Sequence, residues 1–212
     1  MSSSGIPAAS LLIVRHGETD WNIGRRIQGR TDIPLNETGI AQAGEVAELL
    51  GRAGDWQRVV VSPLDRAATT GRIIAERLGL AGPEIAEDII ERDFGSAEGE
   101  LVRDAEAQWP GLDVPDAEPP GTLAERGAAA FERLLREAPG SVVVAHGALI
   151  RAALTTLSGE EAPRILNGEA WLLSAQEAPS ATGTAAPAPT PSATPGRITV
   201  RRLGTPARQH AL

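Results

Sequence analysis

The sequence predicts an α/β fold of three layers, α/β/α, built on a mostly parallel sheet with a lid insertion. Three observations predict it. Short apolar stretches at residues 11–14, 59–61 and 142–145 have the length of buried strands and are separated by longer segments with helical periodicity. Two of these stretches run straight into a histidine followed by a glycine, the first through Arg15 into His16-Gly17 and the other into His146-Gly147. Ligands of open α/β sheets bind at the carboxyl ends of parallel strands, so histidines about 130 residues apart converge on one pocket. Finally, residues 93–121 are polar, proline-bearing and weakly periodic, as expected of an excursion over that pocket.

Each element follows from local pattern. Strand one covers 11–15 and leads into a polar loop with Asp20, Asn22, Arg25, Arg26, Gln28 and Asp32. Asn36 and Thr38 are placed to cap a helix whose apolar positions are Ile40, Ala43, Ala47 and Leu50. Residues 59–61 form strand two. After Ser62 and Pro63, a helix over 65–78 turns Leu64, Ala68, Gly71, Ile74 and Leu78 inward and stops at Gly79. A third strand within 84–90 ends near Glu91, and the lid follows with one short helix near 102–109. Helix 122–137 buries Leu123, Phe131, Leu134 and Leu135, ahead of strand 141–145 and helix 148–157. The last strands, 170–174 and 197–202, flank an insert at about 179–195 made almost wholly of Ala, Pro, Ser, Thr and Gly. That composition buries too little apolar surface to order itself, so a flexible insert is expected. The whole reads as one domain over residues 1–212.

Composition removes several chemistries. The 20 basic residues are all arginine, and lysine, tyrosine and cysteine are absent. A Schiff-base lysine, a phosphate-loop lysine, a phosphotyrosine-type intermediate, a thiol nucleophile and a thiolate metal site are therefore excluded. A net charge of −8 argues against a nucleic-acid or anionic-membrane partner, yet a local arginine cluster still binds a small anion. No apolar run is long enough to span a bilayer and residues 1–10 lack the basic flank of a signal peptide, so a soluble, cytoplasmic protein is expected.

The remaining polar residues assemble a phosphoryl-transfer site. A histidine attacks phosphorus only when neutral, and the guanidinium of Arg15 disfavours the imidazolium of His16 while gripping phosphoryl oxygens. Gly17 allows a bulky anion close to the backbone. Arg66, at the start of the helix after strand two, supplies a second clamp, with Asn22, Gln28 and the backbone of Gly29 as further donors. Glu91 is the candidate proton donor to the leaving alkoxide, its affinity for the proton raised by burial and by substrate charge. Asp93 and Glu98 are rival acids placed farther into the lid. His146 completes the cage opposite His16, and Phe94 lines the pocket. Arg25, Arg26 and Arg30 read as a solvated loop face, and His210 as inert.

LIVRHGETDWN at 12–22 resembles the signature of the histidine phosphatase superfamily, also called phosphoglycerate mutase-like. The similarity extends through QGRTDIPLNETG, SPLDRAATT, IIERDFG and VVVAHGALI, and so covers most of residues 11–157. The resemblance implies a phosphoglycerate mutase-like fold, transient phosphorylation of His16, phosphoryl binding by Arg15, Arg66 and His146, and Glu91 as proton donor. It also implies that no metal and no cofactor are required. Mutases of this family carry a lid with a tyrosine, a lysine and adjacent arginines; here the tyrosine position is Phe94, lysine is absent and 113–120 is acidic. Such a lid favours loss of the phosphoryl group to water. The tryptophan that many family phosphatases place before Glu98-Gly99 is Ala97 here.

The expected activity is thus a metal-independent phosphomonoesterase of histidine acid phosphatase type, hydrolysing a small phosphorylated metabolite through a phosphohistidine. The alternatives are a cofactor-dependent phosphoglycerate mutase and a non-catalytic phosphoryl-binding module. The natural substrate and homodimerisation are left open.

Overall fold

The computed structural model describes residue 7, residues 9–175 and residues 198–206. Six strands, β1 (Ser10–Arg15), β2 (Arg58–Val61), β3 (Glu84–Ile85), β4 (Ser141–Ala145), β5 (Ala170–Ala175) and β6 (Ile198–Gly204), form one sheet in the order β3-β2-β4-β1-β5-β6. Neighbours are parallel from β3 through β1, whereas β5 runs antiparallel to β1 and β6 antiparallel to β5. The insert expected at about 179–195 and His210 lie outside the described residues.

Both faces of the sheet are covered, which is why β1 reads as a continuous apolar run rather than an alternation. Leu11 and Ile13 face one side, where they pack with Phe131 and Leu134 of α5 (Pro120–Glu137) and Leu149, Ile150 and Leu154 of α6 (Gly147–Ser158). Leu12 and Val14 face the other, against Val46 and Leu50 of α2 (Glu37–Ala53) and Ile74 of α3 (Asp65–Leu78), while α1 (Asp20–Ile23) is a single turn in the loop after β1. Gly79 ends α3 in the left-handed region at φ 67°, as its stop position requires. Among the described residues, no helix is long and apolar enough to cross a membrane.

Three expectations are corrected. Strand three is two residues long, because the carbonyls of Asp88 and Ile90 accept from the Arg126 guanidinium of α5 (2.9 and 2.8 Å) instead of a strand ladder, and Glu87–Ile89 coil into a tight turn. Ile40 is 50% exposed, since the inward positions of the first two turns of α2 are Gly39, Gln42 and Ala43. Asn36 alone caps that helix, accepting from Gly39 N–H at 2.9 Å. The lid carries α4 (Val102–Gln108) and a small core of its own, Ile27, Ala97, Ala105 and Val114.

Gly17 serves a different contact from the one expected. A Cβ there would lie 2.3 Å from the Gly39 carbonyl oxygen, and one on Gly39 would lie 2.2 Å from that of Glu18. The two glycines let the loop after β1 lie directly on the first turn of α2, which fixes that loop. Backbone cannot move aside as a side-chain tip can, so Gly39→Ala is expected to destabilise the fold by about 1–3 kcal/mol. Urea unfolding midpoints check this, and an unchanged midpoint refutes it.

Candidate active site

The register of the sheet decides what converges. Arg15 pairs with Ala145, and Val14 and Val61 both flank Val144. His16, His146 and Ser62 therefore leave three adjacent parallel strands at one level, and backbone bonds from His16 N–H to Ala145 O (3.0 Å) and Ser62 N–H to Val144 O (3.1 Å) hold them there. The rings of His16 and His146 lie 5.2 Å apart, tilted by 57°.

His16 is held in one tautomer. Its Nδ1 lies 2.7 Å from the Gly17 carbonyl, which only accepts, so Nδ1 carries the hydrogen and Nε2 keeps a lone pair. Burial drives its pKa well below the ordinary 6.5, and the guanidinium groups of Arg66 and then Arg15 push the same way. Desolvation thus outweighs the Arg15 effect read from the sequence, and Arg66 exceeds its sequence neighbour. The His146 ring is pushed down likewise, by burial first and then by Arg66.

Both arginines are clamped through one end. Arg15 donates from a terminal nitrogen to the Ile165 carbonyl (2.8 Å), and burial lowers its pKa to about 10, which leaves it charged at neutral pH. Arg66, fully buried on α3, donates to the carbonyls of Thr31 (2.9 Å) and Gly29 (2.6 Å). Gly29 is in the left-handed region at φ 54°, and a Cβ there would collide with the Glu98 carboxylate. That carboxylate in turn accepts from the backbone of Arg30 and Thr31 (both 2.8 Å), which shapes the loop that holds Arg66.

Glu91 sits on the amino end of α6. Its carboxylate accepts from the backbone N–H groups of Arg92 (2.9 Å), Ala148 (3.2 Å) and Leu149 (3.0 Å). The rival acids are committed elsewhere: Asp93 pairs with Arg30 and Glu98 organises the loop just described. Arg30 is exposed, as expected of a loop residue, but it is also tied down: it reaches the Glu91 carbonyl (3.3 Å) and Glu118 (3.6 Å).

These groups meet in a cavity of about 990 Å³ whose wall includes Arg15, His16, Asn22, Gln28, Gly29, Arg66, Glu91 and Phe94. His146 lies beside His16 but is fully buried and not on the wall. Four buried donors of this cluster, Arg15 Nε, Gln28 Nε2, Arg66 Nε and His146 Nδ1, have no hydrogen-bond partner among the described residues. Buried donors are rarely left unpaired, and four in the cluster around the His16 site can form a cage for an anion. Asn22 contributes indirectly: its amide donates to Gln28 Oε1 (3.1 Å), which fixes the Gln28 amide and leaves Nε2 as its unpartnered end. Phe94 packs under the Arg92 guanidinium, 4.7 Å from the ring centre.

The model of the histidine phosphatase superfamily (branch 1) matches residues 11–171. The chain belongs to that superfamily. A Bacillus subtilis (strain 168) protein named "Uncharacterized phosphatase PhoE" is 41% identical over 152 residues, covering 71% of this chain and 78% of the relative. Phosphoglycerate mutase-like protein 4 of Arabidopsis thaliana is 33% identical over 181 residues, covering 78% and 79%. The native structure of a mycobacterial glucosyl-3-phosphoglycerate phosphatase aligns with a TM-score of 0.67 at 29% identity, over 78% of this chain and 90% of that one.

Two further residues shape this histidine phosphatase site without having been singled out in the sequence. Asn167 donates to the carbonyls of His16 (3.1 Å) and Gly17 (3.3 Å), pinning the loop that orients His16; it comes from the turn before β5 and carries no motif. Ser62, at the carboxyl end of β2, was legible by the same position that marked the two histidines. Its Oγ accepts from Leu64 N–H (3.4 Å) and lies 2.7 Å from His146 Nε2, and among the described residues its hydrogen meets no acceptor other than that nitrogen, so the hydroxyl donates to Nε2. The His146 proton then resides on Nδ1, the unpartnered atom. Ser62→Ala is expected to lower kcat about tenfold with little change in KM, and Ser62→Thr to retain activity. Nitrogen chemical shifts of His146 read the tautomer directly, and an altered tautomer with unchanged kcat refutes the assignment.

Proposed function

We propose that this histidine phosphatase is a phosphomonoesterase that acts on small phosphorylated metabolites through a phosphohistidine at His16, with no metal ion. The observation that carries the reading is the bond from His16 Nδ1 to Gly17 O, which frees Nε2 in a neutral ring beside two guanidinium groups. The Nε2 lone pair attacks phosphorus, the P–O bond to the alcohol breaks, and the leaving oxygen takes a proton from Glu91. Water then attacks the phosphohistidine, gives its proton to Glu91, and the P–N bond breaks to release phosphate. Arg15, Arg66, Gln28 and His146 donate to the equatorial oxygens as charge spreads over them. Four fixed cationic or neutral donors do the work that a metal ion does elsewhere.

The test is rapid quenching of the enzyme with labelled p-nitrophenyl phosphate in the presence of a chelator. The expected result is a protein-bound label stable to alkali and labile to acid, the signature of a phosphoramidate, formed and lost at the turnover rate. Turnover without that adduct refutes the phosphohistidine. The relative named for a mutase makes one further arm worthwhile: 2- and 3-phosphoglycerate are expected to lose phosphate rather than interconvert, with no stimulation by 2,3-bisphosphoglycerate.

A further inference from the structure

Glu91, the acid assigned to proton transfer, is not held by the sheet. β3 ends at Ile85, and the chain reaches Glu91 only after the tight turn at Glu87–Ile89. Two side chains replace the missing ladder. The Ile90 carbonyl accepts from Arg126 of α5 (2.8 Å), and the Glu91 carbonyl accepts from Arg30 of the loop after β1 (3.3 Å). These carbonyls belong to the two peptide groups that flank the Glu91 Cα. Peptide groups are planar, so holding both planes fixes the direction in which the Glu91 side chain leaves the backbone. The second plane is held at both ends, because its N–H, on Arg92, donates to the Glu91 carboxylate (2.9 Å).

Both arginines meet one carboxylate. Arg126 donates to the two oxygens of Glu118 (2.9 and 2.8 Å) as a bidentate pair, and the Arg30 guanidinium lies 3.6 Å from the same group. Glu118 closes the lid segment: its N–H donates to the Asp93 carbonyl (2.8 Å), and its carbonyl accepts from the buried Arg92 (2.8 Å), the neighbour of Glu91. The Glu118 side chain is 10% exposed. Burial opposes its charge, yet Arg126 and then Arg30 hold its pKa below the ordinary 4.5, so it is a carboxylate at neutral pH. Neither Glu118 nor Arg126 lines the cavity.

We propose that Glu118 is a positioning residue for proton transfer to the leaving group: from the lid it holds Arg126 and Arg30 against the main chain of Glu91, and so keeps the Glu91 carboxyl aimed at the leaving oxygen. This role rests on Glu91 being the proton donor. Glu118 acts through Glu91 and touches no substrate atom. Removal of its carboxylate strands the Arg126 guanidinium, which then has no fork to hold it against the Ile90 carbonyl. Arg126 carries most of the effect, since the Arg30 contacts are longer and its side chain is 41% exposed.

The experiment measures kcat/KM for n-butyl phosphate and p-nitrophenyl phosphate in the parent, Glu118→Ala, Glu118→Gln, Arg126→Gln and Glu91→Gln. That parameter covers the steps up to departure of the alcohol, where p-nitrophenolate leaves without a proton and butoxide does not. The alkyl-to-aryl ratio is taken on one sample, so it is independent of the fraction folded, and a role confined to stability leaves it unchanged. Glu91→Gln is expected to lower the ratio by about a hundredfold or more, and Glu118→Ala and Arg126→Gln by about tenfold. Glu118→Gln still offers Arg126 an acceptor and lowers it less, which keeps the test open where the alanine variant fails to fold. Added to Glu91→Gln, Glu118→Ala lowers the ratio no further. An unchanged ratio in the Glu118 variants beside a lowered one in Glu91→Gln, or a further fall in the double variant, overturns the positioning role and leaves the phosphatase reading standing. An unchanged ratio in Glu91→Gln overturns the assignment of the proton donor and the role of Glu118 with it.

Discussion

A His16→Ala variant is expected to bind inorganic phosphate within a few-fold of the parent and to lose at least about four orders of magnitude in phosphate release. The loss is large because no other group can take the role. His146 has its Nε2 tied to Ser62 at 2.7 Å and its Nδ1 protonated, so neither ring nitrogen offers a free lone pair. Binding survives because Arg15 and Arg66 are anchored through carbonyls of Ile165, Thr31 and Gly29, none of which depends on the imidazole. The effect therefore falls on kcat, as for a group that engages only as the bond forms. Parallel measurement of phosphate release and phosphate binding checks this. Equal release by parent and variant favours the non-catalytic phosphoryl-binding module, and loss of binding together with turnover shows that His16 supports the site structurally.

Much of this site was legible because catalysis places residues where strands end. Arg15-His16 and His146 follow apolar runs, and the register that pairs Arg15 with Ala145 follows from β1 and β4 being parallel and buried on both faces. Arg66 and Glu91 were legible through the blocks around them. What escaped is the set of contacts made by segments without periodicity. The Asp88 and Ile90 carbonyls look like strand acceptors in one dimension, and only the arrival of Arg126 from α5 shows why β3 stops after two residues. Arg30 reads as a loop charge, yet it links Glu91, Asp93 and Glu118 across the lid base. Gly17 was read for an anion, and its close neighbour is a second glycine with no sequence relation to it. Pairings between loops depend on the placement of both partners, which local pattern does not encode.

Stability is expected to fall as pH drops below about 6.5, and the fall belongs to the two histidines of the site. Both have folded-state pKa values well below 6.5, from burial first and Arg66 second, with Arg15 acting on both and Arg126 also on His146. A histidine depressed in the folded state takes up its proton first in the unfolded chain. Its contribution is therefore complete above the unfolded value and is lost as pH falls through and below it. Two such groups give a slope of up to about 2.7 kcal/mol per pH unit in that window. Carboxylates held low in the fold, Glu118 by Arg126 and Asp116 by Ser96, act only at lower pH, near and below their ordinary values of 4.5 and 3.8. Urea unfolding between about pH 5 and 7 isolates the histidine window. His16→Ala is expected to halve the slope, and an unchanged slope refutes the assignment. Bound phosphate opposes the field of Arg15 and Arg66, which eases protonation of the native rings. Saturating phosphate is therefore expected to flatten the slope as well as raise the midpoint.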